Sequence, residues 1–324
     1  MPPADPRAPL NPQVKTLLDL FLQMRPEPRI LDPVILRQRS AAMAPWLTAG
    51  APEVKSEREI KIPGPAGDIR ALVFVPKGVR EQPPLVVYLH GGGFVNLSPD
   101  THAKLTKHLA AGTGSIVLSV DYRLAPENPY PAGLEDCLAA FRWARENAAS
   151  LGADSSRVAI AGDSAGGNLA AATTLRLLDD GDEPPSAAVL LVPWLDLANA
   201  TPSFRTFGPD DAIIDDIGMN FYRESYAPRP EQWDDPFVSP LRGDLSRFPP
   251  TCVVVGGIDP LCDDGILFAG KVPAAGGDAV LLNYPGMPHG FMFFPGINEG
   301  AQSLDEVCAF LRKHLATPAT TPAR

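Results

Sequence analysis

The chain has 324 residues, 45% of them hydrophobic and 20% charged, and a formal net charge of −10. That balance supports a large buried core and excludes a disordered or collagen-like chain. The acidity argues against sequence-independent nucleic-acid binding and against an anionic membrane surface as partner, since both need a basic surface. The length suits one large α/β domain with an appendage, or two domains.

From the N-terminus, residues 1–13 are proline-rich and expected to fray. Val14, Leu17, Leu18, Phe21 and Leu22 then recur at helical spacing, and Pro26 and Pro28 close that helix. Asp32 before Pro33 reads as an N-cap and first helical position, opening a second helix toward Trp46. Glu57–Ile62 and Asp68–Val75 flank Gly64-Pro65-Ala66-Gly67 as a hairpin. Buried strands are expected at Leu85–Leu89, Ser115–Val120, 157–161, Ala187–Val192, Thr251–Val255 and Val280–Tyr284. Between them come helices at Pro131–Ala148, 165–178, Asp263–Ala275 and Ser303–Leu315. The stretch from Pro193 to Arg247 is polar with interspersed aromatics and one helical segment near Ile213–Tyr226. It reads as an insertion lying over the sheet. Residues 317–324 form a Thr/Pro/Ala tail expected to be disordered. Strands alternating with helices predict a mostly parallel sheet covered on both faces, with its site at the carboxyl ends of the strands.

Gly162-Asp163-Ser164-Ala165-Gly166-Gly167 stands at one of those ends, between a strand and a helix. A serine flanked by glycines two positions either side forms a tight turn that lifts its Oγ above the sheet. Serine needs a base, and the base an orienting carboxylate. Five histidines allow elimination. His102, His108 and His314 read as solvated helix positions, and His90 is joined to a glycine run. His289, in the loop after strand 280–284, is left as the base. Asp259, after strand 251–255, is the expected acid. Asp263 and Asp264 read as helix N-terminal carboxylates. His90-Gly91-Gly92-Gly93-Phe94 can turn backbone N–H groups inward, so Gly91, Gly92 and Gly93, with Ala165 from the turn, are the expected oxyanion donors and His90 a brace. A G-x-S-x-G arises by chance about 0.1 times in this composition and a His-Gly-Gly-Gly about 0.003 times, so the glycine run is the more specific signal.

On His90–Phe94, Asp121-Tyr122-Arg123-Leu124-Ala125-Pro126-Glu127, Gly162–Gly167, Asp259-Pro260-Leu261 and His289-Gly290-Phe291, the sequence resembles the hormone-sensitive-lipase family of α/β-hydrolases, in its GDSAG branch of bacterial esterases. Cys262 and Asn128 depart from the family pattern, away from the chemistry. The resemblance implies an α/β-hydrolase fold with a mostly parallel eight-stranded sheet. A helical cap would come from residues 1–50 and 195–235, and the catalytic domain from 51–194 and 236–316. It implies a serine carboxylesterase for short- to medium-chain acyl esters, with Glu127 similar to a glutamate that supports the site. An ordinary surface carboxylate is the other reading of Glu127. Phe94, Phe207, Phe221 and Phe291 are candidates for the acyl pocket. The same triad also serves hydrolases of amides or lactones, and some relatives that lost the base bind ligands without turnover.

No metal or cofactor is expected. Cys137, Cys252, Cys262 and Cys308 form no C-x-x-C, which argues against a disulfide framework or zinc site. No apolar run reaches membrane-spanning length, and the N-terminus shows no signal-peptide pattern, so the expected location is cytoplasmic. The partner is a small-molecule ester, with a homodimer possible through the edge strand 280–284.

Overall fold

The computed structural model describes residues 10–25, 29–79 and 81–316. The helix stop at Pro26 and Pro28, the tail 317–324 and most of the fraying expected over residues 1–13 lie outside the described residues, but Pro12 and Gln13 are already helical, because the Asn11 side chain caps them by accepting the Gln13 N–H at 2.9 Å. Eight strands form one sheet: β1 (Ser56–Gly64), β2 (Gly67–Val75), β3 (Leu85–Leu89), β4 (Ile116–Asp121), β5 (Val158–Asp163), β6 (Ala188–Leu191), β7 (Thr251–Gly256) and β8 (Ala279–Tyr284). Their order is β1-β2-β4-β3-β5-β6-β7-β8. The β1–β2 hairpin and the β2–β4 pairing are antiparallel, and every other pairing is parallel. This is the eight-stranded α/β-hydrolase sheet that the sequence leads one to expect.

The helices are α1 (Pro12–Met24), α2 (Pro33–Leu47), α3 (Ala103–Thr113), α4 (Ala132–Glu146), α5 (Ala148–Leu151), α6 (Ala165–Asp179), α7 (Pro202–Phe207), α8 (Asp216–Tyr226), α9 (Cys262–Ala274) and α10 (Asn298–His314). Strands β3, β5, β6 and β7 are buried along their whole length, because helices cover both faces. Alternate residues serve the two sides. Val87, Leu89, Ile160, Leu190 and Val253 pack with Phe141, Leu169 and Phe268 of α4, α6 and α9. Val86, Tyr88, Ala159, Val189 and Val254 pack with Leu109 and Leu311 of α3 and α10, and with Val14 of α1. Each fully buried Val or Leu contributes roughly 1.5–3 kcal/mol, so these two layers dominate the stability.

Most boundaries fall within two residues of expectation, and three of the differences have a visible cause. The helix expected over Pro131–Ala148 ends at Glu146, where the Asn147 side chain donates to the Trp143 carbonyl at 2.9 Å and a separate turn, α5, follows. In the insertion, α7 accompanies α8, and α8 starts only at Asp216 because the Asp215 carboxylate caps it, accepting the Gly218 N–H at 2.9 Å. The closing helix begins at Asn298, before the Ser303 expected, since Gly300 admits a close approach to Phe291 that a side chain would block. The second helix starts as read, with Asp32 accepting the Ile35 N–H at 3.0 Å and Pro33 in its first turn.

The strand-to-helix turn after β5 explains its glycines. Ser164 itself adopts φ +52° and ψ −120°, a conformation that L-residues avoid. A Cβ at Gly162 would be driven into the Gly166 carbonyl, and one at Gly166 into the Leu89 and His90 carbonyls. Gly166→Ala is expected to lower unfolding stability by more than about 2 kcal/mol, since backbone must move to admit the methyl. Urea midpoints of wild type and variant measure it.

Candidate active site

The carboxyl ends of β5 and β7 and the loop after β8 bring three side chains together. The Ser164 turn aims Oγ at the His289 imidazole, whose Nε2 lies 3.0 Å away. His289 Nδ1 lies 2.8 Å from Asp259 Oδ2. The other carboxylate oxygen, Asp259 Oδ1, accepts the Leu261 N–H at 2.8 Å. Asp259 is fully buried and His289 nearly so. Burial opposes the charged imidazole, but the Asp259 carboxylate outweighs it, with Asp211 and Asp163 adding to it, and holds His289 above its ordinary value. Asp263 and Asp264 sit in the first turn of α9, as expected. Asp264 accepts the Leu195 and Asp196 N–H groups, both at 2.9 Å. Burial raises its carboxyl to about 8, against the pull of those two N–H donors.

The glycine run after β3 faces the same serine. Gly92 and Gly93 line the cavity with Ser164, at φ +114° and +61°. Among the described residues, the Gly92, Gly93 and Ala165 N–H groups have no acceptor. Gly91 differs from expectation: its N–H is already given to Asp163 Oδ1 at 3.0 Å, so it cannot serve an oxyanion. His90 is buried, its Nδ1 is 2.8 Å from the Gly91 carbonyl, and its ring stacks on Tyr122 at 4.3 Å. Burial and the nearby His102 lower its pKa to about 3, so it is neutral.

The Asp121–Glu127 stretch buttresses this loop. Tyr122 donates to the His90 carbonyl at 2.7 Å, and the Ala125 N–H to the Phe94 carbonyl at 2.9 Å. Arg123 grips buried Asp136 of α4 through two bonds of 2.8 Å. Glu127 is half-exposed and does not touch the serine; it pairs with Arg37 of α2 at 2.7 Å. Arg37 in turn donates to the Val95 and Ala125 carbonyls at 2.8 and 2.7 Å, which ties α2 to the glycine loop. Arg25 and Arg29 make the parallel tie from the segment between α1 and α2 to the Asp211 carbonyl and the Asp215 carboxylate.

A family model described as alpha/beta hydrolase fold matches residues 86–293, well over half of the chain. The carboxylesterase NlhH of Mycobacterium tuberculosis is 38% identical over 297 residues, covering 90% of this chain and 92% of its own length. The chain belongs to the hormone-sensitive-lipase family of α/β-hydrolases. An ethyl acetate hydrolase of Pseudomonas putida is 35% identical over 233 residues, 71% of this hydrolase and 73% of the other. The solved structure of a hyperthermophilic esterase from the archaeon Pyrobaculum calidifontis superposes with a TM-score of 0.89 at 35% identity, covering 96% of this hydrolase and 100% of that chain.

The cavity of this hydrolase holds about 250 Å³ beside Ser164. Its apolar wall is Met43 and Leu47 of α2, Leu97, Trp194, Ile213, Ile214, Met219 and Tyr222 of the insertion, and Phe293 and Phe294. None of the four phenylalanines expected there lines it. Phe94 is buried and stacks on Tyr226 at 3.8 Å. Phe291 is buried against Tyr284, Phe221 packs against the core, and Phe207 lies off the lining. Near Phe94, Phe221 and Phe291 the residues that line the cavity, Leu97, Tyr222, Phe293 and Phe294, stand one to three positions away, because the direction in which each side chain leaves the backbone decides which one faces it. His102 is a second correction. It is not solvated but 2% exposed, at the start of α3, with Nε2 3.3 Å from Asp163 Oδ2. His108 is part-exposed and meets Asp305 at 3.1 Å.

The sign of the His289 shift sets a pH dependence. A base whose pKa is raised keeps its proton to higher pH, so the acid limb of kcat/KM is expected above 6.5, the ordinary imidazole value. Asp211→Asn removes one of the charges that raise it while leaving an acceptor for the Ile213 and Ile214 N–H groups. Its acid limb is expected at lower pH than wild type, read from kcat/KM across a buffer series.

Proposed function

We propose that this chain, a carboxylic ester hydrolase by family, cleaves short- to medium-chain acyl esters through an acyl-enzyme formed on Ser164. The observation that carries the reading is the unbroken run from Ser164 Oγ to His289 at 3.0 Å and from His289 to Asp259 at 2.8 Å. Ser164 Oγ bonds to the ester carbonyl carbon as His289 Nε2 takes its proton. The carbonyl oxygen becomes an anion facing the N–H groups of Gly92, Gly93 and Ala165. His289 gives the proton to the departing alkoxide, and Asp259 holds the ring and favours its cationic form. Water, deprotonated by the same ring, then adds to the acyl carbon; the bond from that carbon to Ser164 Oγ breaks, and the ring returns the proton to Oγ as the acid leaves.

Residues 1–50 and 195–235 act as a cap over the serine, and 51–194 with 236–316 as the catalytic body. The small, mainly apolar cavity of about 250 Å³ favours short acyl chains over extended ones, and one relative is named for ethyl acetate. A cytoplasmic setting fits four buried, unpaired thiols. Among the described residues, no helix is long and apolar enough to cross a membrane. Pairing of two copies across β8 belongs to this reading, since β8 ends the sheet with Val280 and Leu281 partly exposed.

With p-nitrophenyl esters from acetate to palmitate, kcat/KM is expected to peak among the short chains and fall at least about tenfold by palmitate. Ser164→Ala is expected to lose at least ~10³-fold in kcat. Turnover that persists unchanged in that variant contradicts the mechanism. The anilide of the preferred acyl group is expected to react far more slowly than its ester.

A further inference from the structure

The aspartate beside the nucleophile, Asp163, has no part in the triad, yet it is the polar hub of the site. It is 3% exposed, and its carboxylate receives donors from three separate elements. The Tyr88 hydroxyl, from β3, donates to Oδ1 at 2.7 Å. The Gly91 N–H, first of the glycine run, donates to the same oxygen at 3.0 Å. His102, at the start of α3, presents Nε2 to the carboxylate at 3.2 Å from Oδ1 and 3.3 Å from Oδ2. The His102 ring is itself fixed, with Nδ1 2.9 Å from Thr101 Oγ1 and 3.1 Å from the Ser98 carbonyl. The approach of loop to carboxylate is so close that a Cβ at Gly91 would be forced into Asp163 Oδ2, so only glycine fits.

The consequence is geometric. An oxyanion hole assembled from Ala165 on one side and Gly92 and Gly93 on the other needs a fixed separation between two segments far apart in sequence. Asp163 lies on the same turn as Ser164 and Ala165, and its hydrogen bond reaches the residue immediately before Gly92. We propose that Asp163 is a positioning residue for the oxyanion hole: aimed by Tyr88 and His102, it locks the Gly91–Gly93 loop at the height above Ser164 at which both sets of N–H groups meet the developing anion. The proposal rests on the ester-hydrolase reading with Ser164 as nucleophile. The carboxyl group suits the task because three donors converge on it. Burial works against its charge, but His102 and the Tyr88 hydroxyl outweigh burial and keep it ionised, below the ordinary carboxylate value. The Tyr222 ring closes the loop from the cap side, where a Cβ on Gly93 would strike it. The loop is thus held from beneath by charge-assisted bonds and from above by packing.

A positioning residue acts on the transition state and spares ground-state binding. Three ligands separate the two: a p-nitrophenyl ester for turnover, an alkylboronic acid that forms a tetrahedral anion on Ser164, and the unreactive ether matching the ester. Asp163→Ala is expected to lower kcat by about 10–100-fold, with KM and the ether inhibition constant within about threefold of wild type. The boronate affinity should fall by the same factor as kcat/KM. Asp163→Asn keeps an acceptor for Gly91 and Tyr88, and is expected to recover most of the loss. Should Asp163→Ala fail to fold, His102→Leu and His102→Gln carry the same comparison, since glutamine can still donate to the carboxylate: leucine is expected to lose kcat and boronate affinity together, and glutamine to restore both. An alanine or leucine variant that keeps kcat within about threefold overturns the proposal, as does a loss that falls equally on the ether and the boronate. In either case wild type still hydrolyses the ester. A wild type without ester turnover overturns the ester-hydrolase reading and the proposal with it.

Discussion

The main chain at Ser164 is held at φ +52°, and the geometry of the whole site depends on how that conformation is enforced. A left-handed serine costs of order 1–3 kcal/mol and persists only where its surroundings leave no alternative. Here the Ser164 N–H is fixed to the Leu191 carbonyl at 2.8 Å, and its carbonyl accepts from Asn168 at 3.0 Å and Trp194 at 3.2 Å. Gly162 and Gly166 let β5, α6 and the end of β3 approach too closely for side chains. The turn therefore sends the hydroxyl toward His289, opens the N-terminus of α6 at Ala165, and sets Asp163 beneath the glycine loop. One backbone conformation orients the Ser164 hydroxyl, the Ala165 N–H and the Asp163 carboxylate together.

The rest of the site hangs on ties between segments far apart in sequence. Tyr122 and Ala125 hold the glycine loop from one side, Arg123 anchors their stretch to Asp136 of α4, and Arg37 links the loop to α2. Asp264 binds the backbone of Leu195 and Asp196, where the chain leaves the sheet for the insertion, and Asp263 accepts the Ser203 N–H at 2.8 Å. These carboxylates at the start of α9 thus serve the insertion's root, while Asp259 a few residues earlier faces His289. Division of labour among neighbouring acids follows from which way each side chain leaves the turn.

Much of this was legible in the sequence for physical reasons. Buried strands such as Leu85–Leu89 read clearly because both faces are apolar, and Asp32-Pro33 announced α2 through capping chemistry. Ser164, Asp259 and His289 stand at strand ends in an order that leaves few alternatives, and the structure brings them within hydrogen-bond reach of one another. What stayed hidden depends on tertiary register. His102 looks like any polar residue of an amphipathic helix, because its partner Asp163 lies 61 positions away. Gly91 looks equivalent to Gly92 and Gly93, and only the Asp163 contact distinguishes it. The pocket rings failed for the same reason: Phe293 and Phe294 face the cavity and Phe291 the core, and no period in so short a turn separates them. Met43 and Leu47, which wall the cavity on the α2 side, fall in the segment expected to form a cap, but no sequence pattern singles those two out.

The central claim is that Ser164 is the residue acylated in turnover. Incubation with a p-nitrophenyl alkylphosphonate, followed by peptide mass mapping, tests it most directly. The account predicts one phosphonyl group per chain, carried by Ser164, with p-nitrophenolate released in equal amount and labelling strongly slowed in His289→Ala. Modification of a different residue, or ester turnover by an enzyme that the phosphonate never labels at Ser164, would contradict it.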